Sequence, residues 1–252
     1  MKPQTVFFDM GGTIDVHRYD REPGIRVTAQ IRELLARADV EVSLNDDQLY
    51  DLITGGQKAY REWREESYVE LSPKRVWREF VLKDFHLQSG QIDPVAEDLS
   101  YIVDTRYYQR KMRPEIPAVL EELKSMGFNM GIISNVQSRR QVPDDLERYG
   151  IKDFFYPIVL SCEHGRRKPD PAIFHYAAQM AGVPSSSCVH IGDRVSRDIL
   201  GARQAGFAVA LQIKHAFKED RDPDEPRPDA VLESMKELPE ILATCLKDTA
   251  DS

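Results

Sequence analysis

Beyond Pro114 the chain alternates short apolar runs with amphipathic stretches of helical period, and no feature narrows the possible folds more. Runs of this kind are too short and too apolar to be half-exposed strands. Interleaved with helices they imply βα units, which bury a parallel sheet on both faces. The runs Phe128 to Ile133, Tyr156 to Leu160, Cys188 to Ile191 and Ala208 to Ile213 are the expected strands. Helices are expected over Pro114 to Met126, Pro143 to Tyr149, Pro171 to Ala181 and Ser196 to Ala205. A further buried strand opens the chain as TVFFD, Thr5 to Asp9, and leaves its sheet through Gly11 and Gly12.

Between these two parts, from about residue 22 to 112, the texture is helical and aromatic, with no convincing strand. Val27, Ile31, Leu34, Leu35 and Ala38 share one helix face, as do Leu49, Leu52, Ile53, Tyr60 and Trp63. Further helices are expected at about 73 to 85 and 95 to 110, with Trp63, Tyr68 and Trp77 mostly in the core of a small bundle. The resulting expectation is an α/β protein with a doubly wound, Rossmann-like parallel-sheet core over 1–16 and 113–252. An all-helical domain over 17–112 interrupts it. Lys218 to Asp229, with three prolines among mixed charges, is expected to be a solvated loop, and the tail after Leu246 to fray.

The formal net charge of −8 argues against a nucleic-acid surface, which needs clustered Lys and Arg to displace counterions. An anionic ligand would have to be met by a local basic site. Three cysteines, Cys162, Cys188 and Cys245, show no metal-ligand spacing and no disulfide framework, so a reducing cytoplasm is the expected setting. The apolar run before Asp9 is too short for a signal peptide, and no stretch reaches transmembrane length. No membrane role is expected, and the chain is taken as a monomer or homodimer.

In an open parallel sheet ligands collect beyond the carboxyl ends of the strands. Four such ends carry polar residues here: Asp9 to Thr13, Ser134 with Asn135, Lys168 after Leu160, and Asp193 with Asp198 after Ile191. Each alone is ordinary turn or helix-cap chemistry. In this order they resemble the haloacid dehalogenase superfamily. FFDMGGTID at 7–15, GIISN at 131–135, RRKPDPAIF at 166–174 and HIGDRVSRDILGARQAG at 190–206 are similar to its four motifs. The helical insertion looks like the family's cap, and PDAVLESMKELPEIL at 228–242 like its closing strand and helix.

The resemblance implies a Mg²⁺-dependent hydrolase, most often a phosphatase of a small phosphorylated metabolite. Asp9 would be the nucleophile that carries the phosphoryl group, dividing one difficult displacement into two easier ones. Mg²⁺ would be held by Asp9, the carbonyl of Gly11 and Asp193. Ser134, Asn135, Thr13 and Lys168 would bind phosphoryl oxygens, with Lys168 acting electrostatically on the reacting group. Asp198 would orient Lys168 or a metal-bound water.

The sequence departs from the pattern at Gly11, where phosphatases of the family usually carry an aspartate that protonates the leaving alcohol. A missing general acid costs about 10²–10⁴ in rate. One reading is a phosphatase whose substrate has a good leaving group, with Asp15 and His17 read as solvated turn residues. A second is a phosphonate hydrolase that forms a Schiff base with a cap lysine, Lys58. Carbon-halogen hydrolases of the family carry an aromatic residue at this position and dispense with Mg²⁺. A third reading is a decayed site that binds without turnover, against which stands the joint presence of Asp9, Ser134, Lys168, Asp193 and Asp198. Arg166, Arg167, Arg194 and Arg197 are expected to be surface charge, and His164 and His190 to be structural.

Overall fold

The structure is a computed structural model that describes residues 3–214 and 222–248. Along the chain, β1 (Thr5–Phe8) is followed by β2 (Asp15–Tyr19) and a helical region. That region contains α1 (Arg21–Arg26), α2 (Thr28–Arg37), α3 (Asp46–Ser67), α4 (Pro73–Val76) with a π-helical turn at Trp77–Val81, and α5 (Ala96–Arg106). Then come β3 (Tyr108–Met112), α6 (Ile116–Ser125), β4 (Asn129–Ser134), α7 (Gln141–Arg148), β5 (Ile158–Leu160), α8 (Ser161–His164) and α9 (Pro171–Met180). The chain continues through β6 (Cys188–Gly192), a π-helical turn at Val195–Ile199, α10 (Leu200–Gln204), β7 (Val209–Ile213), β8 (Ala230–Leu232) and α11 (Leu238–Asp248).

Six strands form one parallel sheet in the order β5-β4-β1-β6-β7-β8. The chain winds outward from β1 through β4 to β5, then returns to the other side of β1 for β6. This reversal makes the crevice at the ends of β4, β1 and β6 the natural ligand position. Strand period decides what each face buries: Val6 and Phe8 enter one core cluster with α6 and α11, while Phe7 enters the other with α9 and α10. Both faces of the sheet are therefore covered, as parallel pairing requires.

The helical region has an apolar cluster of its own, with Ile31, Leu35, Leu49, Ile53 and Leu99 packed around Trp77. Trp77 is fully buried and donates its indole N–H to Ser100 Oγ at 3.1 Å. Trp63 and Tyr68 do not join it; they are 37% and 41% exposed. Further along the same face of α3 the core is a separate small cluster in which Tyr60 packs with Leu71 and Val76, and Trp63 stacks on the Tyr60 ring at its edge.

The expectation of an insertion without strands is corrected. β2 and β3 form an antiparallel ribbon through which the chain enters and leaves the helical region, with His17 directly opposite Arg110. Polar residues mask β3 in the sequence: Tyr108-Gln109-Arg110-Lys111 alternates in burial but not in hydropathy.

The stretch 222–229 is more tightly held than the expected solvated loop. Residues 218–221 lie outside the described residues. Beyond them, the Asp222 carboxylate accepts from the N–H groups of Val195 and Ser196 at 2.5 and 3.0 Å and from Ser196 Oγ. Asp229 accepts from Ala210 N–H at 2.7 Å and pairs with Arg203. The tail beyond residue 248 lies outside the described residues, and α11 continues past Leu246 to Asp248.

Candidate active site

The nucleophile loop is shaped by a glycine. Gly12 has φ +93°, a left-handed conformation that strains side chains, and a Cβ there would collide with the Asp193 carboxylate. Close approach of the loops after β1 and β6 thus depends on hydrogen at this position. Arg113 fixes the same peptide, donating to Gly12 O at 2.8 Å.

Lys168 stands at the centre. It lies in the loop between α8 and α9, is 2% exposed, and its Nζ is 2.6 Å from both Asp9 Oδ1 and Asp198 Oδ1. Asn135 holds the backbone of Lys168 at both ends: its Oδ1 accepts from Lys168 N–H at 2.8 Å and its Nδ2 donates to Lys168 O at 3.0 Å. Asp198 is fully engaged, accepting also from His190 Nε2 at 2.9 Å and from Arg194 N–H at 3.1 Å. Burial works to raise Asp198, but Lys168 and His190 overcome it and hold the carboxyl well below the usual range. Asp9 goes the other way: burial, opposed by Lys168 and reinforced by Asp198 and Asp193, pushes it up to about 7.

Carboxylate oxygens of Asp9, Asp193 and Asp198 lie within 4.8 Å of one another, all buried. Hard oxygen donors gathered where burial already penalises their charge suit a divalent cation of the Mg²⁺ kind. With Asp198 engaged elsewhere, Asp9 and Asp193 are the carboxylates left to hold it, beside the Gly11 peptide.

The arrangement opens into a cavity of about 750 Å³, walled on one side by these loops and on the other by α3, α5 and the ribbon. Ser134 lines it, 5% exposed. A Cβ on Gly11 would stand 3.3 Å from Arg110 Nη1 and 3.5 Å from the His17 ring. The volume an acid side chain would occupy is thus bordered by a guanidinium and an imidazole.

A family model for haloacid dehalogenase-like hydrolases matches residues 3–206. The chain belongs to the haloacid dehalogenase-like hydrolases. Among relatives of this hydrolase, a glyceraldehyde 3-phosphate phosphatase of Methanopyrus kandleri is 29% identical over 253 residues, 97% of this chain and 99% of that protein. A phosphoglycolate phosphatase of Vibrio parahaemolyticus is 29% identical over 160 residues, 64% of this chain and 62% of that protein. The crystal structure of a HAD phosphatase from Thermococcus onnurineus shares the fold, with TM-score 0.62 at 22% identity over 96% of this chain and 98% of that one. A 2-haloacid dehalogenase from Pseudomonas syringae matches at TM-score 0.61 and 26% identity over 96% and 99% of the two chains. One fold thus serves different reactions, and the site must discriminate among them.

The structure of this haloacid dehalogenase-like hydrolase brings Asp9, Gly11, Ser134, Lys168, Asp193 and Asp198 into one site. Thr13 does not line the cavity; its hydroxyl is buried and finds no partner among the described residues. Asn135 lines it, but its side chain is spent on Lys168.

Asp15 is no solvated turn residue. It is fully buried between Arg110 Nη1 at 3.2 Å and Tyr149 Oη at 3.1 Å, and burial, opposed by Arg110, pushes its carboxyl up to about 6. His17 lies on β2 and lines the cavity instead of facing solvent as part of a turn. Arg167 is likewise buried, 2% exposed, and pairs with Glu70 at 3.0 Å. Arg166 lies at the surface as expected, while Arg194 and Arg197 line the cavity. His190 is structural, buried against Asp198 and the Phe174 ring, and His164 packs on Tyr176.

Sequence reasoning missed Glu70 altogether. Its carboxylate accepts from Tyr60 Oη at 2.5 Å, Ser161 Oγ at 2.8 Å and Arg167 Nη1, joining the helical region to the loop that carries Lys168. Around it the backbone of 69–70 and 165–167 pairs as well. A lone acid beside Val69 and Leu71, with its partners distant in the chain, gives no sequence signal for this.

Proposed function

We propose that the chain is a Mg²⁺-dependent phosphatase of a small phosphorylated metabolite, with Asp9 as nucleophile. The observation that carries the reading is the position of Lys168 Nζ, 2.6 Å from Asp9 and from Asp198 in the wall of a cavity also lined by Ser134. Relatives named as phosphatases support it. Asp9, the Gly11 carbonyl and Asp193 would hold Mg²⁺, which when bound supplies charge that screens carboxylate from phosphate. Asp9 attacks phosphorus as the bond from phosphorus to the leaving oxygen breaks, that oxygen departing as an anion that takes its proton from solvent. Water then hydrolyses the aspartyl-phosphate, releasing inorganic phosphate and regenerating Asp9. The Ser134 hydroxyl and the Lys168 ammonium hold phosphoryl oxygens through both steps, and Asp198 keeps Lys168 protonated and aimed. With Gly11 supplying no proton, substrates with good leaving groups turn over fastest. The reading takes the protein to be cytoplasmic, in keeping with three free cysteines and with the absence of a membrane-spanning helix among the described residues.

The test is a panel of sugar phosphates, acyl phosphates, nucleotides and an aryl phosphate, with and without Mg²⁺. Turnover is expected only with Mg²⁺, and Asp9→Asn should reduce it by at least about 10³-fold. No turnover of any phosphate ester would leave the decayed, binding-only reading.

A second reading keeps one observation in its favour: Lys58 lines the cavity, as a Schiff-base lysine of a phosphonate hydrolase would. Borohydride reduction in the presence of phosphonoacetaldehyde would trap a Lys58 adduct, and failure to trap it ends that reading.

A further inference from the structure

The chain carries a net charge of −8, yet eight of the residues lining the cavity are Lys or Arg and only five are Asp or Glu. Three of those acids, Asp9, Asp193 and Asp198, form the nucleophile and cation cluster on the core wall. A fourth, Asp104, accepts the Ser138 N–H at 2.8 Å. Glu65 alone remains. An imbalance of this sign, against the charge of the whole molecule, concentrates positive potential in a concave, partly desolvated space.

Pairing sorts the cations into two groups. Lys168 is held by Asp9 and Asp198, Arg110 by Asp15 at 3.2 Å, Arg194 by Asp193 at 3.5 Å and Arg64 by Glu70 at 3.7 Å. Arg18, Lys58, Arg61 and Arg197 line the same cavity and form no ion pair with a described residue. Lys168 and a bound cation would meet a phosphoryl group inside the carboxylate cluster. The four unpaired cations have no carboxylate of their own to answer them among the described residues.

Two of them are fixed by the register of α3. Gln57 exchanges amide hydrogen bonds with Gln137, at 2.7 Å in one direction and 3.4 Å in the other, and Gln137 lies three residues beyond Ser134. This pins α3 to the loop that follows the phosphoryl-binding hydroxyl. Lys58 is the next residue and Arg61 lies on the same face, about 4.5 Å further along the helix axis.

We infer that the substrate is a phosphate monoester bearing a second anionic group, a carboxylate or a second phosphate, which Lys58 and Arg61 receive one helical turn from the phosphoryl end. The inference rests on the phosphatase reading and adds the substrate class. Arg61 can meet either anion with two parallel N–H donors, while Lys58 adds a point charge. Arg18 and Arg197 contribute to the field without being fixed by it.

The test uses the full chain with Mg²⁺ and four esters: glycerol 3-phosphate, whose tail is neutral, 2-phosphoglycolate and 3-phosphoglycerate, whose tails are carboxylates, and fructose 1,6-bisphosphate. At least one of the last three should exceed glycerol 3-phosphate in kcat/KM by about tenfold or more, and which one does separates a carboxylate from a phosphate as the second group. Arg61→Ala and Lys58→Ala should each cut kcat/KM for the preferred ester, mainly through KM, at least about fivefold more than for glycerol 3-phosphate. Arg61→Lys should recover part of the loss, and added salt should narrow the preference. Equal turnover of neutral and anionic tails, or equal losses on both in the variants, overturns the inference and leaves the phosphatase reading standing. No turnover of any of the four, nor of an aryl phosphate, fails that reading itself and the inference with it.

Discussion

The two walls of the cavity are built on opposite terms. On the core wall the charges around the nucleophile are buried and matched: Lys168 lies between Asp9 and Asp198, and Asp198 is closed off by His190 and Arg194 N–H. On the cap wall Lys58 and Arg61 are exposed and unmatched among described residues. Buried, fully satisfied groups are costly to move and hold one geometry, which is what stabilising a transition state requires. Exposed cations on a helix adapt at little cost. The contrast separates where chemistry is fixed from where selection is made.

The sharpest attempt to break this contrast is Lys168→Met, which strips the core wall of its central cation. Turnover should fall by about 10²–10³-fold, with most of the loss in kcat. A loss confined to KM would make Lys168 a selector like its neighbours across the cavity.

Glu70→Ala comes next, because it leaves Arg167 buried without its partner. Breaking such a pair costs about 3–5 kcal/mol, a drop in Tm on the order of 10 °C for a chain this long. A shift of only a degree or two in thermal denaturation would mean that Arg167 reaches solvent and the seam is not buried in the working protein.

A smaller effect tests a partly buried acid on the cap side. Burial, opposed by the Ser138 N–H, pushes Asp104 up to about 6. A raised carboxyl contributes its stability below the unfolded value near 4 and loses it as pH rises through about 6. Asp104→Asn should therefore gain on the parent by about 1–2 kcal/mol between pH 4.5 and pH 7.5. Melting curves at the two pH values check this, and a constant gap between the proteins contradicts it.

Smallest is Gly11→Asp. The backbone there is not left-handed, and the new side chain would have only to displace the ends of Arg110 and His17 slightly. Hydrolysis of esters with poor leaving groups should rise by about tenfold. No gain, or a loss, in an alkyl phosphate assay would sink the missing-acid account.

The core wall was legible in the sequence because its residues sit at strand ends, and strand ends are marked by apolar runs. Asp9, Ser134 and Asp193 were located by their neighbours more than by themselves. Asp15, Arg110, Arg167 and Glu70 were not legible, since each is a charged residue whose burial depends on a partner distant in the chain: Arg110 is 95 residues from Asp15, and Arg167 is 97 from Glu70. Periodicity reports which face of an element is buried, and it says nothing about a charge that is buried because another element neutralises it. The ribbon was lost for a related reason, its alternation being one of exposure and not of residue type.

The seam at Glu70 also has a mechanical meaning. A body attached along one line can swing about that line, and the β2 and β3 ribbon alone would give the helical region this freedom. Pairing of 69–70 with 165–167, with Glu70 beneath it, is a second line of attachment. A body held along two lines cannot swing without releasing one. Widening the cavity by swinging the helical region would therefore break the seam, and in doing so would disturb the loop that carries Lys168.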